Sequence, residues 1–181
     1  MTIRLFFLSL CLTILLSTQA VVATAEEANA NVRFKRYSLL VNDLDRSIAL
    51  YRDVLGYRMK TIEEVPPSSY VYKVFAIPRT AKTRSVMFDA YDGSSRALWL
   101  GEVKGATIAP PTTPHVSTVV LRVDDIKSVL TRATKAGFKI HDPIDFTNDD
   151  GIGAIEGAII DPDGHLLVIY ELIEQSSKRG K

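Results

Sequence analysis

Cysteine is nearly missing from this chain of 181 residues, since Cys11 is the only one. It lies within residues 1–25, which hold one basic side chain, Arg4, and an apolar run at residues 5–16. The closing Ala-Thr-Ala is typical of a cleavable signal peptide, and the run is shorter than the roughly 20 residues of a membrane-spanning helix. We predict export to the periplasm or the medium with no stable membrane anchor, a retained anchor being the alternative. The mature chain then has no disulfide.

Net charge is also missing from the mature sequence. Without residues 1–25, 21 basic side chains (22 minus Arg4) balance 21 acidic ones. A neutral chain lacks the basic surface that nucleic acids or anionic membranes attract, so we predict no nucleic-acid partner. A serine nucleophile motif, a P-loop and a dinucleotide-binding glycine pattern are likewise missing. The glycine-rich stretch from Gly151 comes before a strand and not a helix, which does not suit phosphate binding.

A unit of one strand, one helix and three strands begins at residue 33. Residues 33–41 suit a strand, and Asp43 is a good N-cap for a helix that ends at Gly56. The apolar face of this helix consists of Leu44, Ile48, Tyr51 and Leu55. Three more strands are predicted at residues 57–64, 84–91 and 96–103.

The same unit occurs a second time from His115 onward. Residues 115–123 suit a strand, Asp124 or Asp125 caps a helix, and Gly137 ends it. The inward face of this helix consists of Ile126, Val129, Leu130 and Ala133. Three more strands are predicted at residues 138–143, 153–160 and 165–173.

The spacing of the two copies indicates a duplicated folding unit. The segments Val41 to Leu44 and Val123 to Ile126 lie 82 residues apart, which is too long for a solenoid repeat. We predict one domain at residues 32–174, with a first unit at 32–104, a proline-rich linker at 105–114 and a second unit at 115–174. Residues 26–31 and 175–181 are polar and unpatterned, and we predict disordered tails there.

The motifs in these units resemble the vicinal oxygen chelate superfamily, which includes glyoxalase I, bleomycin-resistance proteins and extradiol dioxygenases. The shared features are Leu-x-Val-x-Asp before each helix, Leu50-Tyr51 before a leucine-glycine helix end, and Asp-Pro-Asp-Gly at residues 161–164 before the last strand. The resemblance implies an α+β fold. In it, two tandem βαβββ modules form paired curved mixed β-sheets around a cup, with the helices on the outside.

The resemblance also implies four metal-ligand positions, one on the first and one on the last strand of each unit. Counting from the motifs brings these positions to Arg36, Trp99, Thr118 and Val168. An arginine, an indole and a valine cannot bind a cation, and a threonine hydroxyl is a weak neutral donor. Glu102, His115 and Glu171 each lie three residues from one of these positions, and an odd offset turns a strand side chain to the other face. We predict no metal, and a divalent metal held elsewhere is the alternative.

The predicted cup is mostly apolar and carries one positive charge. Arg36 is predicted either to bind an anionic ligand or to form an ion pair with a neighbour such as Asp89. Trp99 either fills the space of the missing metal or stacks on a ligand. Thr118 and Tyr170 are hydrogen-bond donors or wall residues, and Val168 belongs to the apolar wall. This composition is typical of a small-molecule pocket.

The segment at residues 65–84 is longer than a hairpin connection needs. We predict a short helix near residues 69–76 that covers the cup as a lid. The alternative is a surface excursion that packs on a partner subunit. The lid side chains are Tyr70, Tyr72 and Phe75.

The sequence therefore predicts an exported, metal-free protein that binds a small apolar or anionic molecule, as bleomycin-resistance-type members bind without chemistry. The alternative is a metal-dependent enzyme of the same fold, of the glyoxalase I lyase or extradiol dioxygenase type. A third hypothesis is a structural interaction protein whose cup is filled by Trp99. The sequence leaves open whether the cup closes within one chain or across a homodimer.

Overall fold

A computed structural model describes residues 33–147 and 151–173 of the chain. The predicted signal peptide at residues 1–25 and the predicted tails at 26–31 and 175–181 lie outside the described residues. Within the described ranges, no helix is long and apolar enough to cross a membrane.

The first unit follows the predicted order of elements. Strand β1 (Tyr37–Val41) leads through the N-cap Asp43 into helix α1 (Leu44–Ile48), which continues as a π-helix over Ala49–Val54. Gly56 then takes a φ of +78°, which ends the helix in a conformation that favours glycine. The remaining elements are β2 (Arg58–Val65), helix α2 (Tyr70–Val74), β3 (Lys82–Asp89) and β4 (Leu98–Lys104).

The second unit repeats this order without a counterpart of α2 among its described residues. Strand β5 (Thr118–Arg122) leads through Asp125, which caps helix α3 (Ile126–Lys135) by accepting a hydrogen bond from the Ser128 amide. The four residues predicted to face inward on this helix are all buried. The remaining elements are β6 (Lys139–Thr147), β7 (Gly153–Ile160) and β8 (Leu166–Leu172).

Each unit forms its own open four-stranded mixed sheet. The strand orders are β1-β4-β3-β2 and β5-β8-β7-β6. In each sheet the first strand is parallel to the last, and the other neighbours are antiparallel. The predicted fold class, α+β with two tandem βαβββ modules and mixed sheets, is confirmed.

The core lies between the sheets and the helices, and it joins the two units. One cluster of buried side chains includes Leu39 and Phe88 from the first sheet and Ile169 from the second. It also includes residues of α1, of its π-helical continuation and of α3. The first helix, in its π-helical part, packs against α3, and Arg132 on α3 donates two hydrogen bonds to the Val54 carbonyl, at 2.8 and 3.1 Å. One face of each sheet is therefore used for packing on helices, and the opposite faces remain for ligands or partners.

The Asp-Pro-Asp-Gly turn at residues 161–164 also joins the units. The Asp163 carboxylate accepts hydrogen bonds from the Asn42 amide and side chain, at 2.8 and 2.7 Å. The buried Asp161 accepts a hydrogen bond from the Tyr51 hydroxyl at 3.2 Å. Burial raises the pKa of Asp161, because it disfavours the charged carboxylate, and the hydrogen bonds from the His165 and Asp163 amides only partly offset this effect. The turn before the last strand is thus also a contact between units.

Candidate functional site

A cavity of about 640 Å³ lies on the concave face of the first sheet, opposite the helix-packed face. Its floor and walls come from β1, β2, β3, β4 and the residue preceding β1, and α2 covers one side. All of its lining residues belong to the first unit, so among the described residues the second sheet does not close this cup. The cavity is the size of a small-molecule site.

The register of the strands sets the floor of the cavity. Ser38 on β1 pairs with Trp99 on β4, and Trp99 pairs with Met87 on β3. Two residues further along β4, Gly101 pairs with Ser85 on β3. Because side chains alternate along a strand, these residues share one face with Arg36, which lies two positions before Ser38.

Trp99 lies flat on the floor and is 8% exposed. Its six-membered ring covers Gly101, where a methyl group would overlap the ring. The indole also stacks on the ring of Phe75, with ring centroids 5.6 Å apart and an interplanar angle of 24°. The lack of a side chain at Gly101 therefore leaves room for the indole, and Phe75 packs on the indole.

Arg36 is a cation without an acidic partner among the described residues. Its only hydrogen bond there is a long one, 3.5 Å from Nη1 to the Met87 sulfur. The carboxylate that the sequence suggested as its partner, Asp89, pairs instead with Lys60 at 2.9 Å and accepts a hydrogen bond from the Arg96 amide at 2.7 Å. These two bonds, that of Lys60 first, lower the pKa of Asp89. The ion pair with Asp89 expected as one alternative for Arg36 is therefore wrong, because Asp89 is already paired.

Helix α2 is held over the sheet by a small core of its own. Tyr72 is 4% exposed and donates a hydrogen bond to the Ala81 carbonyl at 2.9 Å. Phe75 follows the last turn and reaches the indole, whereas Tyr70 lies at the mouth of the cavity and is 73% exposed. The short helix predicted near residues 69–76 is confirmed, with Ser69 as its N-cap.

The other predicted site residues lie on the second sheet. The Thr118 hydroxyl donates a hydrogen bond to the Leu166 carbonyl at 2.9 Å, so it is used within the sheet. Val168 pairs with Val120 and Tyr170 with Arg122, on the face of the sheet opposite the helix core. The structure thus brings Arg36 and Trp99 together in one cavity and places Thr118, Val168 and Tyr170 apart from them.

The four implied ligand positions do not form a donor set for a metal. In the first unit, Ser38 lies two residues after Arg36 and pairs with Trp99. In the second unit, Val120 lies two residues after Thr118 and pairs with Val168. The two units therefore share one register. No group of three His, Cys, Asp or Glu side chains suited to a metal occurs within residues 33–147 and 151–173. An arginine, an indole, a valine and an occupied hydroxyl do not fit a divalent cation.

The carboxylates near these positions have another use. Glu102 accepts hydrogen bonds from the Leu44 amide at 3.0 Å and from Arg84 at 2.6 Å. Glu171 accepts one from the Ile126 amide at 2.8 Å. Each glutamate therefore holds the N-terminus of the helix of its own unit, on the helix side of the sheet. As the odd spacing predicts, both point away from the concave face.

A sequence profile of the Glyoxalase/Bleomycin resistance protein/Dioxygenase superfamily matches residues 33–169. The chain belongs to this superfamily. Its sequence and the paired βαβββ units agree on that point, and the resemblance inferred from the motifs is confirmed.

Solved structures share the superfamily fold at low sequence identity. A glyoxalase family protein from Bacillus cereus is 22% identical, with a TM-score of 0.64, over 78% of this chain and 95% of that one. A glyoxalase/bleomycin resistance protein/dioxygenase domain from Frankia sp. EAN1pec is 18% identical, with a TM-score of 0.56, over 78% and 98%. The trypanothione-dependent glyoxalase I of Leishmania major is 22% identical, with a TM-score of 0.53, over 77% and 86%. No curated protein sequence matches the chain.

Several lining residues of the cavity were not predicted from the sequence. Ser38, Ser85 and Met87 form the floor beside Trp99, and Lys60 and Arg96 lie at the rim. Ser38 could have been found, because it lies two residues after Arg36 on the same strand face. The residues of β3 needed the register between β3 and β4, which the sequence does not contain.

Proposed function

We propose that this superfamily member is a binding protein whose first-unit cup holds a small anionic molecule without a metal. The observation that carries the proposal is the Arg36 guanidinium, which lines the cavity and has no acidic partner within the described ranges. A partly buried cation is stabilised by a charge partner, and a ligand carboxylate can form two parallel hydrogen bonds with a guanidinium. The Ser38 and Ser85 side chains, which line the same cavity, supply further hydrogen bonds.

The apolar part of the ligand would contact Met87 and the aromatic side chains of the cup. Phe75 and Trp99 line the cavity beside Arg36, so apolar surface and positive charge lie next to each other. Two carboxylates of β2, Glu63 and Glu64, also line the cavity but are exposed to solvent. The apolar surface beside the Arg36 charge suits an organic anion better than an inorganic one, since burial of apolar ligand surface adds to the charge pair.

The alternative of a metal-dependent lyase or dioxygenase needs a set of three or more metal ligands, and the described residues form no such set. Arg36 and Trp99 occupy the first-unit positions, and Glu102 is bound to Arg84 and to the start of α1. We therefore propose no step of metal chemistry. The hypothesis of a structural protein with a filled cup is disfavoured by the volume that remains beside Trp99.

We further propose that a second copy of the chain closes the cup. The face of the second sheet opposite the helix core exposes large apolar side chains, with Val120 54% and Ile144 63% exposed. That face also carries Glu156, while the rim of the first-unit cup carries Lys60 and Arg96. A first-unit cup against the second-unit sheet of a partner would cover both open faces and bring Tyr170 and Val168 to the ligand.

The homodimer is tested by measuring mass in solution by light scattering. We expect a dimer for the unaltered protein and a monomer with weaker ligand binding for Ile144→Asp. Lys127→Glu, on the exposed side of α3, is the matched control and leaves the mass unchanged. A monomer at high protein concentration that still binds ligand fully would contradict this proposal.

We also propose that the protein is exported after removal of residues 1–25. The support is the charge, apolar run and small closing residues of that segment. Mass spectrometry of protein recovered from the periplasm or the medium should find Glu26 as the first residue. Retention of the full chain in the membrane fraction would show that the segment is an anchor.

The binding function is tested by calorimetric titration with small organic anions such as benzoate and hexanoate, with benzylamine as the cationic comparison. We expect the anions to bind and Arg36→Gln to weaken them at least tenfold, about 1.4 kcal/mol. Arg79→Gln removes an exposed positive charge outside the cavity and should leave the affinity unchanged. Equal affinity for benzylamine, or no effect of Arg36→Gln, would contradict the proposal.

A further inference from the structure

The indole of Trp99 is the largest flat surface in the cup, and it is 8% exposed. Its six-membered ring lies against Gly101, and the ring of Phe75 stacks on it at 5.6 Å and 24°. A ligand ring can therefore stack at this place on the indole only if Phe75 moves away.

Phe75 lies at the end of α2, beyond the residue that anchors the helix. The anchor is Tyr72, which is buried and donates a hydrogen bond to the Ala81 carbonyl. Phe75 itself is half-buried and follows the last helical residue, and the next residue, Ala76, takes a φ of +52°. Phe75 packs against the same apolar cluster as Tyr72, but the hydrogen bond of Tyr72 does not involve Phe75, so rotation of the Phe75 side chain leaves that bond intact.

A buried polar group without a partner lies on the cavity side of β3. The Thr83 hydroxyl is buried and has no hydrogen-bond partner among the described residues. Thr83 lies on the same face of β3 as Ser85 and Met87, both of which line the cavity. A buried hydroxyl without a partner destabilises a protein, so a polar ligand group that reached Thr83 would stabilise the complex.

The charge lies on the same side of the sheet as the indole. Arg36 comes two residues before Ser38, the strand partner of Trp99 on β1. The Arg36 Nη1 atom also lies 3.5 Å from the sulfur of Met87, the strand partner of Trp99 on β3. Lys60 at the rim is already paired with Asp89, so Arg36 is the cation available to the acid group.

Resting on the binding function proposed above, we propose that the ligand is a flat aromatic carboxylate. Its ring takes the place of Phe75 on the indole of Trp99, and its carboxylate pairs with Arg36. An aromatic ring regains the stacking energy that the indole loses when Phe75 leaves, whereas an aliphatic ring of the same size does not. Specificity for flat ligands thus comes from competition with the protein's own side chain.

The test uses two carboxylates of equal charge and similar size, benzoate and cyclohexanecarboxylate, in calorimetric titrations. We expect benzoate to bind at least tenfold more tightly. Trp99 is the only tryptophan, so its fluorescence reports on this site alone, and benzoate should change it more than cyclohexanecarboxylate does.

The variant Phe75→Ala distinguishes exchange from simple covering. Because no ring then needs to be displaced, we expect benzoate to bind severalfold more tightly than to the unaltered protein. Phe75→Leu removes the aromatic ring but keeps an apolar side chain, so it should fold even if Phe75→Ala does not. Lys73→Ala, on the exposed side of α2, is the matched control. Weaker benzoate binding by both Phe75 variants with native circular dichroism would overturn the exchange.

The outcomes separate this inference from the binding function beneath it. Equal affinities for benzoate and cyclohexanecarboxylate, both lost in Arg36→Gln, would overturn the aromatic preference and leave anion binding standing. Binding of neither carboxylate would overturn both proposals.

Discussion

At the scale of single residues, the cup depends on small side chains beside large ones. Gly101 is needed because the indole of Trp99 occupies the space of a side chain at that position. The sequence predicts Trp99 at an implied ligand position. It does not predict the contact of the indole with Gly101, since this contact depends on the rotamer of Trp99. Arg36 was found by counting from Asp43, because the distance from strand to helix is fixed within each unit.

Replacing Gly101 with alanine tests this packing contact between Gly101 and the indole. The added methyl group must displace the indole, so we expect a loss of about 1–3 kcal/mol in the free energy of unfolding and a changed Trp99 emission. Urea unfolding followed by fluorescence measures both. Gly153→Ala is the matched control on β7, where a methyl group meets Ile173 only at an ordinary distance of 3.7 Å. Equal stability of Gly101→Ala and the unaltered protein would show that the indole can lie elsewhere.

At the scale of elements, each unit holds its helix with two carboxylates. Asp43 and Asp125 are N-caps that the sequence predicts, because their spacing from the apolar face is local. Glu102 and Glu171 bind the same helix ends from the last strand of each unit, a contact that only the fold brings about. The π-helical continuation of α1 was not predicted either, since its apolar spacing also fits an α-helix.

Glu102 should give the protein a marked sensitivity to acid. Burial alone would raise its pKa, but hydrogen bonds from Arg84, the Leu44 amide and Lys104 outweigh burial and lower the pKa to about 2. Because the folded-state pKa lies below the ordinary 4.5, this contribution is complete above that value and is lost as the pH falls toward 2. A shift of this size corresponds to about 3 kcal/mol.

Unfolding by urea at a series of pH values measures this effect. We expect Glu102→Gln to be about 2–3 kcal/mol less stable at neutral pH and the difference to shrink as the pH approaches 2. Asp142→Asn, at an exposed position on β6, is the control and should follow the unaltered protein. A constant difference across the whole range would mean that the charge of Glu102 is not what stabilises α1.

At the scale of the whole molecule, the two units share one core and are also joined by a turn. The sequence predicts the units and the turn separately, because their patterns are local. It does not predict that the helices pack on each other or that Asp163 binds Asn42, 121 residues away. For the same reason it left open whether the two sheets close one cup, which the described residues of a single chain do not do.

Removing the contact of the turn should weaken the whole protein and not one unit. Asp163→Ala loses the hydrogen bonds to the Asn42 amide and side chain, so we expect a loss of about 1–2 kcal/mol. Since the core is shared, unfolding should remain a single transition by both fluorescence and circular dichroism. Two separate transitions, with Trp99 reporting only the first unit, would show that the units fold independently.

We propose above all that the cup binds an organic anion through Arg36 and holds no metal. A native mass spectrum, taken after the purified protein is incubated with benzoate and with zinc, nickel, manganese and ferrous ions, tests it most directly. We predict a benzoate adduct that Arg36→Gln loses, and no divalent ion retained in equal number with the chain. One retained metal ion per chain, held equally by Arg36→Gln, would contradict the account.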